Sequence, residues 1–192
     1  MQRVPIFFEF TSYTFSSARR RAVFRYRTKF ADGSEDSYTE TLLFPQAIST
    51  RAIPKGLLEA LLESAHVALG VSYYKMFAAP RIICRKPLSR DAALFWTTVY
   101  KKGLGEFWYR NKLDPAQSPR FPIDKNIKPR AWRFPRKDRA LVGIGGGKDS
   151  IVLAEMFKQI SYDMTSFVVE TEQESAVIHD VMKQIGSDVL RV

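Results

Sequence analysis

Three glycines in a row, Gly145, Gly146 and Gly147, stand between an apolar run over 140–144 and a helical pattern over 149–160. A buried strand that passes through glycine straight into a helix has few homes other than a parallel α/β sheet. The downstream pattern agrees: a strand over 166–169, a helix over 175–185 and a strand over 188–192, so that 140–192 reads βαβαβ. That is the opening of a doubly wound α/β sheet. Three parallel strands need cover on both faces and further strands to complete a core, so this segment is expected to be an incomplete domain.

Consecutive glycines also let main-chain N–H groups approach an anion at a helix N-terminus, and phosphate is the expected guest. Two common phosphate loops do not fit. The pattern G-x-x-x-x-G-K-[ST] fails because Lys148 is followed by Asp149 and the position five before Gly147 is Val142. The dinucleotide pattern G-x-G-x-x-G fails because its last position falls on Lys148 when counted from Gly143, and on Ser150 when counted from Gly145. A glycine-rich turn with no ligand is the plainer alternative.

Charge divides the chain in the same place. Residues 1–139 carry 26 basic and 12 acidic side chains, whereas 140–192 carry 4 and 8, so the overall +10 conceals two regions of opposite sign. A basic region suits nucleic acid, an anionic membrane or a multiply charged small substrate, and equally a solvated surface. The single cysteine, Cys84, excludes an internal disulfide, a zinc ribbon and two-cysteine redox chemistry, and it fits a reducing cytoplasmic compartment. With no apolar stretch of signal-peptide or membrane-spanning length, the expectation is a soluble, unexported protein.

Ahead of residue 114 the pattern is α+β. Aromatic and β-branched residues alternate with polar ones over 7–15, 22–30 and 38–44, with a turn at Asp32-Gly33, which predicts a β-meander. A helix is expected over 57–69 with Gly70 as its stop, a short strand over 82–84, a helix capped by Ser89 and ending near Gly103, and another over 106–113. Five of the ten prolines then fall between 114 and 139, where no apolar period survives and a basic linker or arm is expected. Phe121, Trp132 and Phe134 are interleaved there with basic residues. Such an arm either offers a single-strand nucleic-acid platform or packs its rings on a neighbouring domain. The domain reading is therefore 1–113, a linker over 114–139, and 140–192.

The run Gly145-Gly146-Gly147-Lys148-Asp149-Ser150 resembles the pyrophosphate loop Ser-Gly-Gly-x-Asp-Ser of the N-type ATP pyrophosphatases, the PP-loop superfamily, at every fixed position but the first. The wider chain narrows the likeness. Gly70-Val71-Ser72-Tyr73-Tyr74-Lys75, then Gly103-Leu104-Gly105-Glu106-Phe107-Trp108-Tyr109-Arg110-Asn111, then the glycine loop, in that order, resemble the UDP-N-acetylmuramoyl-L-alanyl-L-glutamate epimerase family. The resemblance implies an adenine-nucleotide α-hydrolase-like domain beginning at residue 140, and Mg²⁺-ATP bound by residues 145–150. It also implies inversion of the terminal L-glutamate of a peptidoglycan precursor with release of AMP and pyrophosphate.

Proton removal beside a carboxylate creates a second negative charge next to the first, so an acyl-adenylate that masks the carboxylate is the expected intermediate. On the same resemblance Tyr73, Tyr74, Lys75, Glu106, Tyr109, Arg110 and Asn111 are substrate-binding candidates, and a substrate with a diphosphate and two carboxylates accounts for the basic balance without nucleic acid or membrane. No acid or base is assigned. His66 reads as a hydrogen-bonded core histidine, His179 beside Asp180 as solvated, and Cys84 as a small buried hydrophobe. Val168 to Glu170 either line an adenine pocket or, with Glu172 and Glu174, form a solvated acidic turn. No protein metal site is expected. The alternatives are a PP-loop enzyme that adenylates tRNA and a truncated, non-catalytic nucleotide-binding module.

Overall fold

The structure, a computed structural model, describes residues 3–54, 56–128, 131–133, 135, 137–170 and 176–192. Strands β1 (Pro5–Ser16), β2 (Arg21–Phe30) and β3 (Glu35–Leu43) are consecutive neighbours in one sheet. Each link between them is too short for anything but antiparallel pairing. The meander expected from the alternation is present, and a fourth strand, β4 (Ile82–Cys84), completes the order β3-β2-β1-β4. It runs parallel to β1, with Phe8 opposite Ile82 and Phe10 opposite Cys84. A parallel partner needs a crossover, and the helices α1 (Leu57–Leu69) and α2 (Val71–Tyr74) lie within it.

Gly70 follows α1 as expected, but not for the expected reason. Its backbone is right-handed (φ −62°), so no left-handed cap calls for glycine. A Cβ there would lie 2.5 Å from Phe10 Cε1 and 2.8 Å from Tyr26 Cε1, so the residue is small because two core rings press on it. The carbonyls at the end of α1 gain partners from the side: Tyr26 Oη donates to the His66 carbonyl at 3.0 Å, which also accepts from Gly70 N–H at 3.2 Å, and Tyr100 Oη donates to the Val67 carbonyl at 2.9 Å. Around them Phe8, Phe10, Phe24 and Tyr74 are buried.

On the sheet, Glu9 is buried between two guanidinium groups, with its Oε1 2.7 Å from Arg85 Nε and its Oε2 2.8 Å from Arg27 Nε. Burial alone would raise this carboxyl, but the hydrogen bonds from Arg85 and Arg27 outweigh it and hold it below the usual carboxylate range.

Ser89 caps α3 (Arg90–Lys102), its hydroxyl accepting from Ala92 N–H at 3.3 Å. The next helix is shorter than the sequence pattern predicts: α4 spans Gly105–Arg110, because Asn111 turns its side chain back to the Phe107 carbonyl (2.8 Å) and Lys112 adopts φ +54°. Part of the proline-rich segment read as a linker belongs to the first core. Pro119 and Phe121 are buried, the Phe121 ring centroid lies 5.0 Å from that of Tyr100, and Ile123 bridges Leu88. Pro129, Arg130, Phe134 and Arg136 of that segment lie outside the described residues.

The chain divides into two compact units: Met1–Ser16, Ala22–Thr41 and Thr50–Arg133 form one, and Ser17–Arg21, Leu42–Ser49 and Phe134–Val192 the other. In the second, β5 (Ala140–Gly143), α5 (Lys148–Gln159), β6 (Met164–Val168), α6 (Ala176–Ile185) and β7 (Asp188–Arg191) give the expected βαβαβ, all parallel in the order β5-β6-β7. Val142, Ile144 and Val168 meet Ala154 of α5 and Met182 and Ile185 of α6 in a single aliphatic cluster. Both helices thus cover one face of the sheet. Leu141, which points to the other face, is 61% exposed.

Candidate functional site

Parallel pairing brings the carboxyl ends of β5 and β6 side by side, with Gly143 opposite Phe167, so the glycine loop and the Val169-Glu170 turn leave the same edge of the sheet. Open α/β sheets take ligands at this edge. Of the three loop glycines only Gly146 is left-handed (φ +77°), and a Cβ on it would stand 3.3 Å from Ile178 Cγ1 of α6. Gly145 and Gly147 face open space, since an added Cβ meets nothing within 4 Å. Folding therefore requires glycine at the middle position and leaves the outer two as bare backbone beside a void.

Gly147 is the N-cap of α5 and has no side chain to occupy the first-turn N–H groups. Ser150 Oγ donates to the Gly147 carbonyl at 2.8 Å, which pins the hydroxyl against the loop. Lys148 and Asp149 are exposed at the loop's mouth, and Asp149 lies in the first turn, where the helix dipole favours a carboxylate. Uncapped first-turn N–H groups, bare glycine backbone and the exposed Lys148 ammonium fit a polyphosphate.

On the neighbouring turn Val168 is buried, Val169 is exposed, Glu170 is ion-paired to Arg191, and its N–H donates to the Val192 carbonyl at 2.8 Å. Glu172 and Glu174 lie outside the described residues. Among the described residues no group of three or more His, Cys, Asp or Glu side chains is placed to hold a metal ion.

The seven substrate-binding candidates go to different duties. Tyr74 is core, edge-on to Tyr100 and Trp108. Tyr73 stacks on Tyr26 and Tyr38 and donates to Glu40 Oε2 at 3.0 Å; burial, with Glu40 second, pushes its phenol up to about 12. Glu106 and Arg110 pair with each other at 3.1 Å on α4, and Asn111 caps that helix. Lys75 and Tyr109 are exposed. Tyr73 and Tyr74 are thus tied to the first unit's core and sheet, while the α4 residues are satisfied among themselves.

His66 is the expected core histidine, its Nε2 3.0 Å from the Arg25 carbonyl, and burial lowers it below the usual histidine range. Cys84 is half-buried on β4, and burial pushes its thiol up to about 12, away from nucleophilic use. His179 is exposed beside Asp180. What the sequence reading passed over is the company His66 keeps: Tyr13, Glu63 and Lys86 line one cavity with it. The available signal was Glu63, one turn after Glu59 and three residues before His66 in a largely apolar helical run.

A parallel βαβαβ unit with an anion-ready glycine loop, joined to a basic α+β unit, defines the class. Within that class, a family profile described as the MurL N-terminal domain matches residues 2–192, and the chain belongs to that family. Similar proteins include three named UDP-N-acetyl-alpha-D-muramoyl-L-alanyl-L-glutamate epimerase. The one from Micromonospora sp. is 35% identical over 90% of this chain and 39% of its own length. The one from Salinispora tropica is 36% identical over 84% and 36%. The third, from Xanthomonas oryzae pv. oryzae, is 33% identical over 77% and 35%. The chain thus spans little more than a third of the length of these relatives. No solved structure matches it, and no helix among the described residues is long and apolar enough to cross a membrane.

Proposed function

We propose that this chain is the N-terminal part of an ATP-dependent epimerase that converts the terminal L-glutamate of UDP-N-acetylmuramoyl-L-alanyl-L-glutamate to D-glutamate for peptidoglycan synthesis in the cytoplasm. The observation that carries the reading is the 33–36% identity to three proteins bearing that epimerase name. The glycine loop supports its ATP-using half. Gly145, Gly146 and Gly147 and the first turn of α5 would hold the β- and γ-phosphates of ATP, with Lys148 and the Ser150 hydroxyl in support. Asp149 would face Mg²⁺, which commonly binds through one or two carboxylates and the phosphates it accompanies.

In this scheme an α-carboxylate oxygen of the substrate glutamate attacks the α-phosphorus of ATP, the bond to the bridging oxygen breaks, and pyrophosphate leaves. The acyl-adenylate has lost the carboxylate charge, so a base removes the α-proton and an acid returns one to the opposite face. Water then cleaves the mixed anhydride to D-glutamate and AMP. The basic balance of 1–139 suits the anionic substrate.

The test replaces the matching segment of the Micromonospora relative by these 192 residues. Pyrophosphate release and glutamate chirality are then measured with Mg²⁺-ATP, with and without the nucleotide peptide. Peptide-dependent pyrophosphate and D-glutamate are the expected result, and hydroxylamine should trap the acyl-adenylate. A folded chimera that binds ATP and yields no D-glutamate would count against the epimerase. Its retention of tRNA, weakened steeply by salt, would turn the reading to tRNA adenylation.

A further inference from the structure

The first unit contains a hollow unrelated to the glycine loop. An inner cavity of about 190 Å³ is bounded by Tyr13, His66, Cys84 and apolar side chains, and an open groove of about 960 Å³ lies along α1 and α3. Glu63, Lys86 and Leu88 line both. The groove draws on distant parts of the sequence: Glu59 and Glu63 stand one turn apart on α1, Trp96 comes from α3, and Asn126 and Trp132 come from the proline-rich segment. At the junction Lys86 Nζ lies 2.6 Å from Tyr13 Oη and 4.6 Å from the centre of that ring, which fixes the ammonium at one wall. Burial raises Glu63 above the usual carboxylate range, against the pull of Lys86.

This lining selects a kind of ligand. A hydrocarbon would strand the charges, and Glu59 and Glu63 offset Lys86 and Lys128, so the lining has no net positive charge to hold a polyanion such as RNA. A sugar has flat C–H faces and a rim of hydroxyl and amide groups, so it needs flat aromatic surface interleaved with carboxylate and amide partners. Trp96 and Trp132 supply the surface, and Glu59, Glu63 and Asn126 the partners. Lys86 adds a charged donor for a carbonyl oxygen carried by the sugar.

We propose that this groove binds the N-acetylated muramoyl sugar of the substrate, with Glu63 accepting from its hydroxyl or amide donors and Lys86 donating to the carbonyl oxygen of its lactyl group, which is amide-linked to L-alanine. The inference rests on the epimerase reading for the identity of the sugar, and on the groove for its place.

The test follows tryptophan fluorescence of the 192-residue chain during titration with N-acetylmuramic acid, with UDP-N-acetylmuramoyl-L-alanyl-L-glutamate, and with the dipeptide L-alanyl-L-glutamate. Trp108 is buried in the core, so the responsive indoles are Trp96 and Trp132. Both muramoyl ligands should change the emission. W96F and E63Q should each weaken binding about tenfold or more, with circular dichroism and melting temperature unchanged; if W96F unfolds, E63Q alone decides. Binding that stays within about twofold in the folded variants would overturn the subsite. So would no response to either muramoyl ligand at millimolar concentration, or competition by the dipeptide but not by the sugar acid. D-glutamate formed by the chimera despite such a result would leave the epimerase standing. Sugar binding that obeys both variants without D-glutamate formation would leave the groove standing and remove the epimerase.

Discussion

Phe8, Phe10, Phe24, Tyr26, Tyr74 and Tyr100 fill the first unit, whereas Val142, Ile144, Ala154, Val168, Met182 and Ile185 fill the second. Rings with hydroxyls bring polar atoms into a core, and each must find a partner there, as Tyr26 and Tyr100 do on the carbonyls of α1. Aliphatic side chains make no such demand, and the second unit's buried Ser166 meets Ser187 at 2.7 Å. The candidate sites differ in the same way. The groove of the first unit is made of side chains, but the loop of the second is made of backbone. Side-chain deletions should therefore be felt most in the first unit, and additions at glycine most in the second.

The largest effect belongs to the ring core. Phe10 touches Phe8, Tyr26, His66 and Phe121 with centroid separations of 5.2–5.8 Å, so Phe10→Ala opens a cavity where no neighbour can collapse without leaving another contact. A loss of about 3–5 kcal/mol is expected from urea unfolding. A loss below about 1 kcal/mol would mean that this core is loosely packed. Next come the hydroxyls. Tyr100→Phe keeps the ring and strands the Val67 carbonyl, at about 1–3 kcal/mol, whereas Tyr26→Phe leaves the His66 carbonyl its bond from Gly70 N–H and should cost about 0.5–1.5 kcal/mol. The two share the end of one helix, so the double variant tests whether their effects add.

The glycine loop separates folding from binding within three residues. Gly146→Ala forces a side chain to φ +77° and 3.3 Å from Ile178, costing about 1–2 kcal/mol. Gly147→Ala puts a methyl into open space at φ −84°, so stability should move by less than about 0.5 kcal/mol. If the loop holds polyphosphate, that methyl occupies ligand space, and ATP affinity should fall about tenfold or more. Equal ATP affinity in parent and Gly147→Ala, read by calorimetry, would take the phosphates elsewhere.

The contrast also explains what could be read beforehand. Each strand and helix over 140–192 follows from apolar runs broken by glycine and polar turns, and the edges moved by a residue or two. In the first unit the strands and helices were legible, but their partners were not. Phe8 faces Ile82 across more than seventy residues, and nothing local to either names the other. Gly70 was read as a helix stop, while its true constraint is the pressure of Phe10 and Tyr26. The whole proline-rich segment, 114–139, reads as a linker because its apolar residues have no period. Proline fixes the path of such a segment without hydrogen bonds, so Phe121 reaches the core with no pattern to announce it. The groove was invisible for the same reason: Glu63, Trp96 and Trp132 belong to three segments that only the fold brings together.

The smallest expected effect is one of slope, and it sharpens the contrast because His66 is buried in the ring core while His179 of the second unit is exposed. Burial lowers His66, and the hydrogen bond to the Arg25 carbonyl only partly restores it. The unfolded chain therefore takes up a proton near its ordinary value of 6.5 that the folded chain refuses. Stability contributed by the neutral ring is present above that value. It is lost as pH falls from there toward the depressed folded value. Glu63 acts in the opposite sense, since burial raises it and the folded chain protonates first; this offsets part of the loss as the pH approaches the carboxylate range. Glu9 is held low by Arg85 and Arg27, so its stabilisation persists until the solution is more acid still. Urea midpoints between about pH 7.5 and pH 5.5 should fall with acidification in the parent and fall less in His66→Gln. Should His66→Gln keep the full slope, the acid sensitivity does not come from the His66 ring.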